Sequence, residues 1–273
     1  MRLGISSALS HESPEHWAKQ LKELGCRSVV FPVNCNSGKD VIRSYAEAAK
    51  ENDLVIAEVG IWNNMLDADP EKRKENLDYA IRQIMLADEI GAVCAVNIAG
   101  TPHGPRWDGG YRDNFNRETF DMTVETVQYV LKQADPKHTH FSIESMPWMI
   151  PSGPQEYLEL IERVNHPQFS AHLDIVNMIT SPRRYFFNDE FLRECFDVLK
   201  GKICSCHLKD IRLKEEFTFQ LEECAVGKGT LDIELLARLC DEANPEMPVL
   251  IEHLNTDDEY RESFLYTKNR LGI

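Results

Sequence analysis

The most constraining feature of this chain is a regular alternation of short, apolar, β-branched runs with longer amphipathic segments. The runs have the length of buried strands, and the longer segments carry the apolar spacing of helices that pack on one face. We predict eight strands, at Arg2–Ser6, Ser28–Pro32, Val55–Val59, Ala92–Ile98, His140–Glu144, Ser170–Asp174, Ile203–His207 and Val249–Glu252. We predict eight helices that follow them, at Pro14–Leu24, Val41–Glu51, Pro70–Ile90, Arg117–Ala134, Gly153–Val164, Asp189–Leu199, Asp232–Ala243 and Asp257–Arg270.

Eight strand-then-helix units in 273 residues favour a (β/α)₈ TIM barrel, formed as a single domain over residues 1–273. The main alternative is a doubly wound parallel sheet, which usually carries a glycine-rich phosphate turn after its first strand. Here the first strand runs into Ser6–His11, whose sequence SSALSH contains no such turn. The barrel is therefore the favoured fold.

Composition argues against several classes of function. The chain has 30 Lys and Arg against 45 Asp and Glu, a net charge of −15, which disfavours binding to nucleic-acid phosphates or to an anionic membrane surface. No apolar run approaches the roughly 18 residues of a membrane helix, and the N-terminus lacks the apolar core of a signal peptide. The eight cysteines show no disulfide-scaffold spacing, so we interpret them as reduced thiols and expect a cytoplasmic location.

Candidate functional residues stand at the ends of the last four predicted strands. Barrel enzymes place their active sites at the carboxyl ends of their strands. These four strands end in Glu144, Asp174, His207 and Glu252. Since side chains alternate along a strand, each of the three acids lies opposite an apolar neighbour that can pack on a helix, which turns the acid toward the barrel axis.

These residue types together are typical of a divalent metal site. Three carboxylates and one imidazole suit Mn²⁺, Mg²⁺ or Co²⁺ better than a structural zinc site, which would recruit thiolates. Carboxylates crowded together without a cation repel one another strongly, so we expect the charge of the group to require a metal. The sequence therefore predicts one bound divalent ion.

Several segments resemble those of the xylose-isomerase-like barrels, the sugar phosphate isomerase/epimerase group. They are IESMPW (143–148), AHLDIVNM (171–178), SCHLKDIR (205–212), AVGKGTLD (225–232) and VLIEH (249–253). The resemblance covers nearly the whole chain and is densest from Phe141 to His253. Members of this family hold one divalent metal, often Mn²⁺, through Glu, Asp, His and Glu of successive strands. The resemblance thus implies the same four ligands here, with Mn²⁺ as the favoured ion and Mg²⁺, Co²⁺ or Zn²⁺ as alternatives.

The resemblance also implies an activity. It is that of a sugar isomerase or epimerase, which abstracts a proton next to a carbonyl and passes through a metal-bound enediolate. In the epimerases of the family, the two glutamates of the site remove and return that proton, which implies Glu144 and Glu252 as the catalytic residues. We expect a small-molecule sugar or glycoside as substrate. A homo-oligomer and a complex with a small partner subunit both stay open.

The chain departs from the ketose 3-epimerases of this family at three positions. Those enzymes carry a further Glu where this chain has Ile150, and many place a His where it has Asn177. Their substrate-contacting Arg has its nearest counterpart in Arg212, one residue off the spacing. Epimerisation of free ketohexoses is therefore disfavoured. Residues 146–148 and 176–187 are similar instead to a subgroup that acts on 3-oxo-glycosides, which includes 3-oxo-sugar epimerases and the metal subunit of C-glycoside deglycosidases.

Other functions remain as alternatives. A lyase or deglycosidase subunit would act on 3-oxo-glycosides by metal-assisted β-elimination with the same metal and base, and a short partner chain would distinguish it. A non-catalytic sugar-binding barrel would keep the pocket without the chemistry. A DNA-repair nuclease of the endonuclease IV type shares the fold, but it needs more histidines at the strand ends, and the net charge opposes DNA binding.

Side chains around the metal ligands are candidate substrate contacts. We expect contacts from His172, Lys209, Arg212, Trp148, Asn177 and His103, with Trp107 as a further aromatic in a loop that follows a strand. A purely structural role is an equal alternative for His172. For Lys209, the equal alternative is that it is an exposed lysine at a loop tip without a functional role.

Two further features are interpreted as structural. Gly227 and Gly229 could expose backbone N–H groups to an anion, but a plain turn is favoured. Cys204 and Cys206 are predicted to face the helices as small buried side chains.

Overall fold

The computed structural model describes residues 1–273 and contains a barrel of eight parallel strands surrounded by helices. The barrel strands are β1 (Arg2–Ile5), β2 (Ser28–Val30), β3 (Val55–Gly60), β4 (Cys94–Asn97), β5 (His140–Ile143), β6 (Ala171–Asp174), β7 (Ile203–Leu208) and β10 (Pro248–Ile251). The main helices are α1 (Pro14–Leu24), α2 (Lys39–Glu51), α3 (Pro70–Ile90), α4 (Arg117–Ala134), α5 (Pro154–Val164), α8 (Asn188–Val198), α9 (Ile233–Ala243) and α10 (Asp257–Leu271). The prediction of a single-domain TIM barrel is confirmed.

The strands are hydrogen-bonded in the order β5-β4-β3-β2-β1-β10-β7-β6. The first and last barrel strands of the chain, β1 and β10, are therefore neighbours. The last seam, between β5 and β6, is thinner than the others. It contains one parallel bridge, between Phe141 and Phe169, and the Ser170 N–H donates to the Phe141 carbonyl at 3.2 Å. The barrel is therefore nearly closed, with its weakest joint between the strands that precede Glu144 and end at Asp174.

Local sequence signals set the helix ends. Ser13 caps α1 by accepting a hydrogen bond from the His16 N–H, and Pro14 occupies the first turn, where its missing N–H costs nothing. Gly25 ends the same helix at a φ of 106°, in the left-handed region that glycine tolerates. Thr256 and Glu259 form a reciprocal capping box at the start of α10.

None of the helices has both the length and the apolar character that a membrane-spanning helix needs.

Three elements between β6 and α9 were not predicted. Two short helices, α6 (Ile175–Met178) and α7 (Pro182–Phe186), follow β6, and a two-stranded antiparallel hairpin, β8 (Asp210–Leu213) with β9 (Leu221–Cys224), follows β7. The hairpin lies outside the barrel and is half-exposed. Its strands therefore lack the continuous apolar pattern by which the barrel strands were predicted.

Asp210 holds the base of this hairpin to the glycine-rich loop that follows it. Its carboxylate accepts hydrogen bonds from the backbone N–H groups of Ile211 at 2.8 Å, Gly227 and Gly229 at 2.9 Å, and Leu231 at 3.0 Å. A Cβ at Gly229 would lie 2.2 Å from the Asp210 carboxylate, so that position requires glycine. Since these N–H groups already have an acceptor, the loop is a structural turn, as favoured, and it offers no anion site.

The two cysteines of β7 point in opposite directions, which corrects the prediction that both face the helices. Cys206 packs outward, with its Sγ 3.9 Å from that of Cys240 on α9. Cys204 lies at a register shift between β6 and β7, where Ala171 pairs with Ile203 and His172 pairs with Ser205. The extra residue turns the Cys204 thiol inward, to within 3.5 Å of Ser142 Oγ.

Candidate metal centre and active site

The structure brings the four predicted metal ligands to one point at the carboxyl end of the barrel. Glu144 directly follows β5, Asp174 ends β6, His207 lies in β7 and Glu252 directly follows β10. One ligand atom from each lies within 4.8 Å of the other three. Nδ1 of His207 is 2.9 Å from a Glu252 oxygen, 3.2 Å from a Glu144 oxygen and 3.9 Å from an Asp174 oxygen.

The chemistry of this group fits a divalent cation. Oδ2 of Asp174 and Oε2 of Glu252 are buried and accept no hydrogen bond, which is unusual for carboxylate oxygens removed from water. Both belong to the side chains that converge with Glu144 and His207. Three carboxylate oxygens and one imidazole nitrogen are a donor set that Mn²⁺, Mg²⁺ and related ions accept.

Lys209 adds a positive charge to the same cluster. Its side chain is buried, and Nζ lies 2.7 Å from Asp174 Oδ2 and 2.9 Å from Glu252 Oε2, although neither contact has hydrogen-bond geometry. The expectation that the carboxylates need a metal for charge balance is therefore too strong, because the chain supplies a cation of its own. The case for a metal depends on the donor set that converges at one point.

Burial and neighbouring charges push the pKa values of the two glutamates apart. Burial, reinforced by the negative charge of Glu252, raises the pKa of Glu144 to about 8. Burial acts in the same direction on Glu252, but the positive charges of His207 and Lys209 outweigh it and hold the pKa of Glu252 well below its usual range. For His207, burial opposes the charge, yet Glu252 and Glu144 raise its pKa well above the usual value. The metal-free cluster thus holds protons that a cation must displace.

Glu58 is a buried acid at this site that the sequence analysis missed. It lies in β3, is 3% exposed, and places Oε2 3.0 Å from Nε2 of His207, on the side of the ring away from the other ligands. One signal was present in the sequence, since Glu58 is a charged residue inside the apolar run VIAEV, and charged residues are rarely buried unless paired.

Above the cluster lies a cleft of about 420 Å³. Its floor includes Glu58, Glu144 and Glu252, and its walls include Trp62, Trp107, Met146, Asn177 and His253. A polar floor with apolar and aromatic walls is typical of small-molecule sites. Neither Trp62 nor His253 was predicted, and both have positive φ values, 49° and 58°, which are uncommon for residues other than glycine.

Two of the predicted substrate contacts are close to the centre. Asn177 lines the cleft, and its side-chain amide donates to Glu144 Oε1 at 3.3 Å. Lys209 Nζ is 3.4 Å from Asn177 Oδ1 and 3.0 Å from His253 Nδ1. Lys209 is thus an interior residue, and its alternative as an exposed loop-tip lysine is wrong.

Trp107 also lines the cleft, but the structure places His172, Arg212, His103 and Trp148 outside its lining. His172 is fully buried below His207, its Nδ1 hydrogen-bonded to Ser205 Oγ at 2.6 Å, and burial lowers its pKa well below the usual value. Arg212 lies on the exposed hairpin and pairs with Glu222. His103 contacts Thr119 Oγ1 at 3.3 Å.

Trp148 also lies outside the cleft lining. Its Nε1 donates to the carbonyl of Asp108, a residue of the cleft wall, at 2.7 Å. It supports the loop that carries Trp107 and does not itself face the cavity.

Residues 18–270 match the family model described as xylose isomerase-like TIM barrel. The chain belongs to this family. A search of curated proteins finds no match to the chain. Among solved structures, a xylose isomerase-like TIM barrel protein from Mycobacterium smegmatis in complex with magnesium is similar, with a TM-score of 0.70 and 18% identity over 95% of this chain and 89% of that one.

Two epimerases have a similar fold. A D-psicose 3-epimerase from Clostridium cellulolyticum H10 has a TM-score of 0.71 and 12% identity, over 99% of each chain. The 3-keto-D-glucoside 4-epimerase from E. coli has a TM-score of 0.68 and 15% identity, over 98% of this chain and 99% of that one. At these identities the likeness establishes the shared fold, and activity must be argued from the site.

Proposed function

We propose that this protein is a divalent-metal-dependent sugar epimerase or isomerase that moves a proton on a carbon next to a carbonyl. The observation that carries the proposal is the convergence of Glu144, Asp174, His207 and Glu252 at one point, beside a sugar-sized cleft that Glu144 and Glu252 line. Membership of a family with epimerases among its structural neighbours supports it.

The four converging residues would hold the metal, with Mn²⁺ as the favoured ion. The similar barrel solved with magnesium supports a divalent cation. When bound, the ion supplies electrostatic stabilisation of the negative charge that develops on the carbonyl oxygen as the neighbouring carbon loses its proton.

The remaining chemistry belongs to side chains of the site. One of the two glutamates accepts the carbon-bound proton, and the other returns a proton to the opposite face. Both glutamates line the same cleft, one after β5 and the other after β10, which supports these roles. Asn177 and His253 offer polar groups to substrate hydroxyls, while Trp62 and Trp107 offer apolar ring faces and limit the access of water.

A 3-oxo-glycoside or related keto-sugar is the substrate class that we favour. Ile150, where the ketose 3-epimerases have a further Glu, is a buried apolar side chain with 1% exposure. That position therefore offers no carboxylate to a free ketose. The E. coli neighbour that acts on a 3-keto-D-glucoside supports this choice. No observation favours the deglycosidase alternative, and the partner subunit that it requires stays a prediction.

The test is incubation of the Mn²⁺-loaded protein with a panel of ketoses and 3-oxo-glycosides in D₂O, followed by NMR. We expect deuterium uptake on a carbon next to the carbonyl, together with an epimerised or isomerised product. Release of the aglycone would show a lyase instead. Substrate binding without exchange, with any of Mn²⁺, Mg²⁺ or Co²⁺, would show a sugar-binding barrel.

Variants in the same assay test the assigned bases. Glu144→Gln and Glu252→Gln keep an oxygen for the ion but cannot accept a carbon-bound proton, so we expect metal retention with turnover at least about 10²-fold lower. One of the two should still exchange deuterium without forming product. Glu47→Gln, at an exposed position on α2, is the control and should be unaffected. Near-normal turnover of both site variants with metal bound would place the bases elsewhere.

A further inference from the structure

We propose that Glu58 is a positioning residue that fixes the orientation of the His207 ring for metal binding. The inference rests on the proposed metal centre and concerns a residue outside the four ligands. Glu58 Oε2 is 3.0 Å from His207 Nε2, while Nδ1 of the same ring faces Glu144 and Glu252. The two ring nitrogens therefore have separate partners.

This geometry selects one form of the imidazole. A neutral imidazole donates from one nitrogen and accepts at the other. When Nε2 donates its proton to Glu58, the lone pair of Nδ1 is directed into the space shared with the carboxylates. A carboxylate that accepts from the outer nitrogen of a metal-binding histidine holds the ring in place and increases its basicity.

The placement of Glu58 supports this role over a general structural one. Its carboxylate is almost fully buried at the barrel interior, where an unpaired charge is costly, and its one side-chain hydrogen bond is to His207. The two residues are 149 positions apart in the chain and lie on strands that are not neighbours in the barrel. The contact therefore spans the interior and serves the centre.

A neighbouring histidine raises a distinct alternative. Nε2 of His172 is buried without a hydrogen-bond partner, and Glu58, His172 and His207 lie close enough to hold an ion among themselves. In that case Glu58 would be a ligand to a second ion. Metal stoichiometry separates the two cases, because a positioning residue leaves the number of bound ions at one.

The experiment compares metal binding by the wild-type chain, Glu58→Gln and Glu58→Ala, with Co²⁺ or Mn²⁺ in competition with a chelator. We expect Glu58→Ala to weaken binding by about 10–100-fold. Glu58→Gln keeps an acceptor for the Nε2 proton but loses the charge, so we expect an intermediate affinity. The visible spectrum of bound Co²⁺ should change in both variants, because the orientation of His207 sets the ligand geometry. Glu58→Gln is isosteric and serves where Glu58→Ala fails to fold.

Cys94→Ala is the matched control. Cys94 is fully buried and pairs with Glu58 in the β3–β4 register, and its thiol bonds to Ala57 and Ser205 rather than to Glu58 or His207. Its affinity and Co²⁺ spectrum should match those of the wild type. The inference is overturned if the wild type and both Glu58 variants bind the metal with equal affinity, or if Cys94→Ala loses as much affinity as the Glu58 variants. It is also overturned if the wild type binds two ions and the Glu58 variants bind one. A wild-type chain that binds no ion would instead overturn the proposed metal centre.

Discussion

At the scale of single residues, the centre is defined by how its acids share charge. Glu144 and Glu252 have the same chemistry and lie on the same cleft floor, yet their pKa values are displaced in opposite directions. The difference arises because the Glu252 carboxylate is closer to both neighbouring cations. It lies 2.9 Å from His207 Nδ1 and 2.9 Å from Lys209 Nζ, against 3.2 Å and 4.0 Å for Glu144. Pairs of carboxyl groups separated in this way are typical of acid–base sites.

The raised pKa of Glu144 predicts the pH dependence of metal binding. With a pKa of about 8, the metal-free carboxyl is protonated at pH 6.5 and largely ionised at pH 8.5. A divalent ion needs the ionised form, so binding should release protons at pH 6.5, and affinity should rise as the pH passes through about 8.

Calorimetry in buffers of different ionisation enthalpy measures this proton release. We expect fewer protons released at pH 8.5 than at pH 6.5, and fewer from Glu144→Gln than from the wild type at the lower pH. An affinity that does not change between the two pH values would contradict the assignment.

At the scale of elements, one aspartate organises the region between β7 and α9. Asp210 accepts four backbone hydrogen bonds, one from its neighbour in β8 and three from the glycine-rich loop. The sequence segments HLKD and GKGTLD are thus two halves of a single structural unit. Because β7 carries His207, this unit also anchors the strand that supplies the imidazole.

Asp210→Ala should destabilise the protein more than the loss of an ordinary helix cap. Two buried and two partly buried N–H groups would lose a charged acceptor, so we expect a cost of at least about 2 kcal/mol in the free energy of unfolding. Asp232→Ala removes the cap of α9, which accepts from the Leu235 N–H, and should cost about 1 kcal/mol. Urea unfolding of the metal-free forms measures both changes in the free energy of unfolding. Equal losses would show that the Asp210 cluster stabilises the protein no more than an ordinary helix cap does.

At the scale of the whole molecule, the barrel is uneven around its circumference. Seven of its joints are parallel ladders, two of them with a register shift, while the β5–β6 seam has a single bridge. The candidate ligands Glu144 and Asp174 lie on opposite sides of that seam. A metal held by both would therefore tie together the two edges that the backbone joins least.

Hydrogen exchange tests this link between the metal and barrel closure. In the metal-free protein, the amides of Phe141 and Ser170, which bond across the seam, should exchange faster than those in the β1–β10 ladder. Saturating Mg²⁺ should slow exchange at the seam more than in that ladder. An equal slowing in both places would indicate general stabilisation by ligand binding rather than closure of the seam.

The sequence by itself determined the barrel and the strand-end residues proposed as ligands. Both are local properties, because hydrophobic periodicity marks each strand and helix, and the last residue of a strand is read directly from that pattern. In a barrel the strand ends are brought together by the fold, so Glu144, Asp174, His207 and Glu252 could be grouped before any contact was known.

Only the tertiary structure decided which other groups surround those residues. Glu58 reaches His207 across the barrel interior, the register shift beside His172 turns Cys204 inward, and the buried position of His172 keeps it out of the cleft. Each of these depends on the register between strands and on the direction of a side chain relative to residues far away in the chain. Periodicity within one strand carries no information about either quantity.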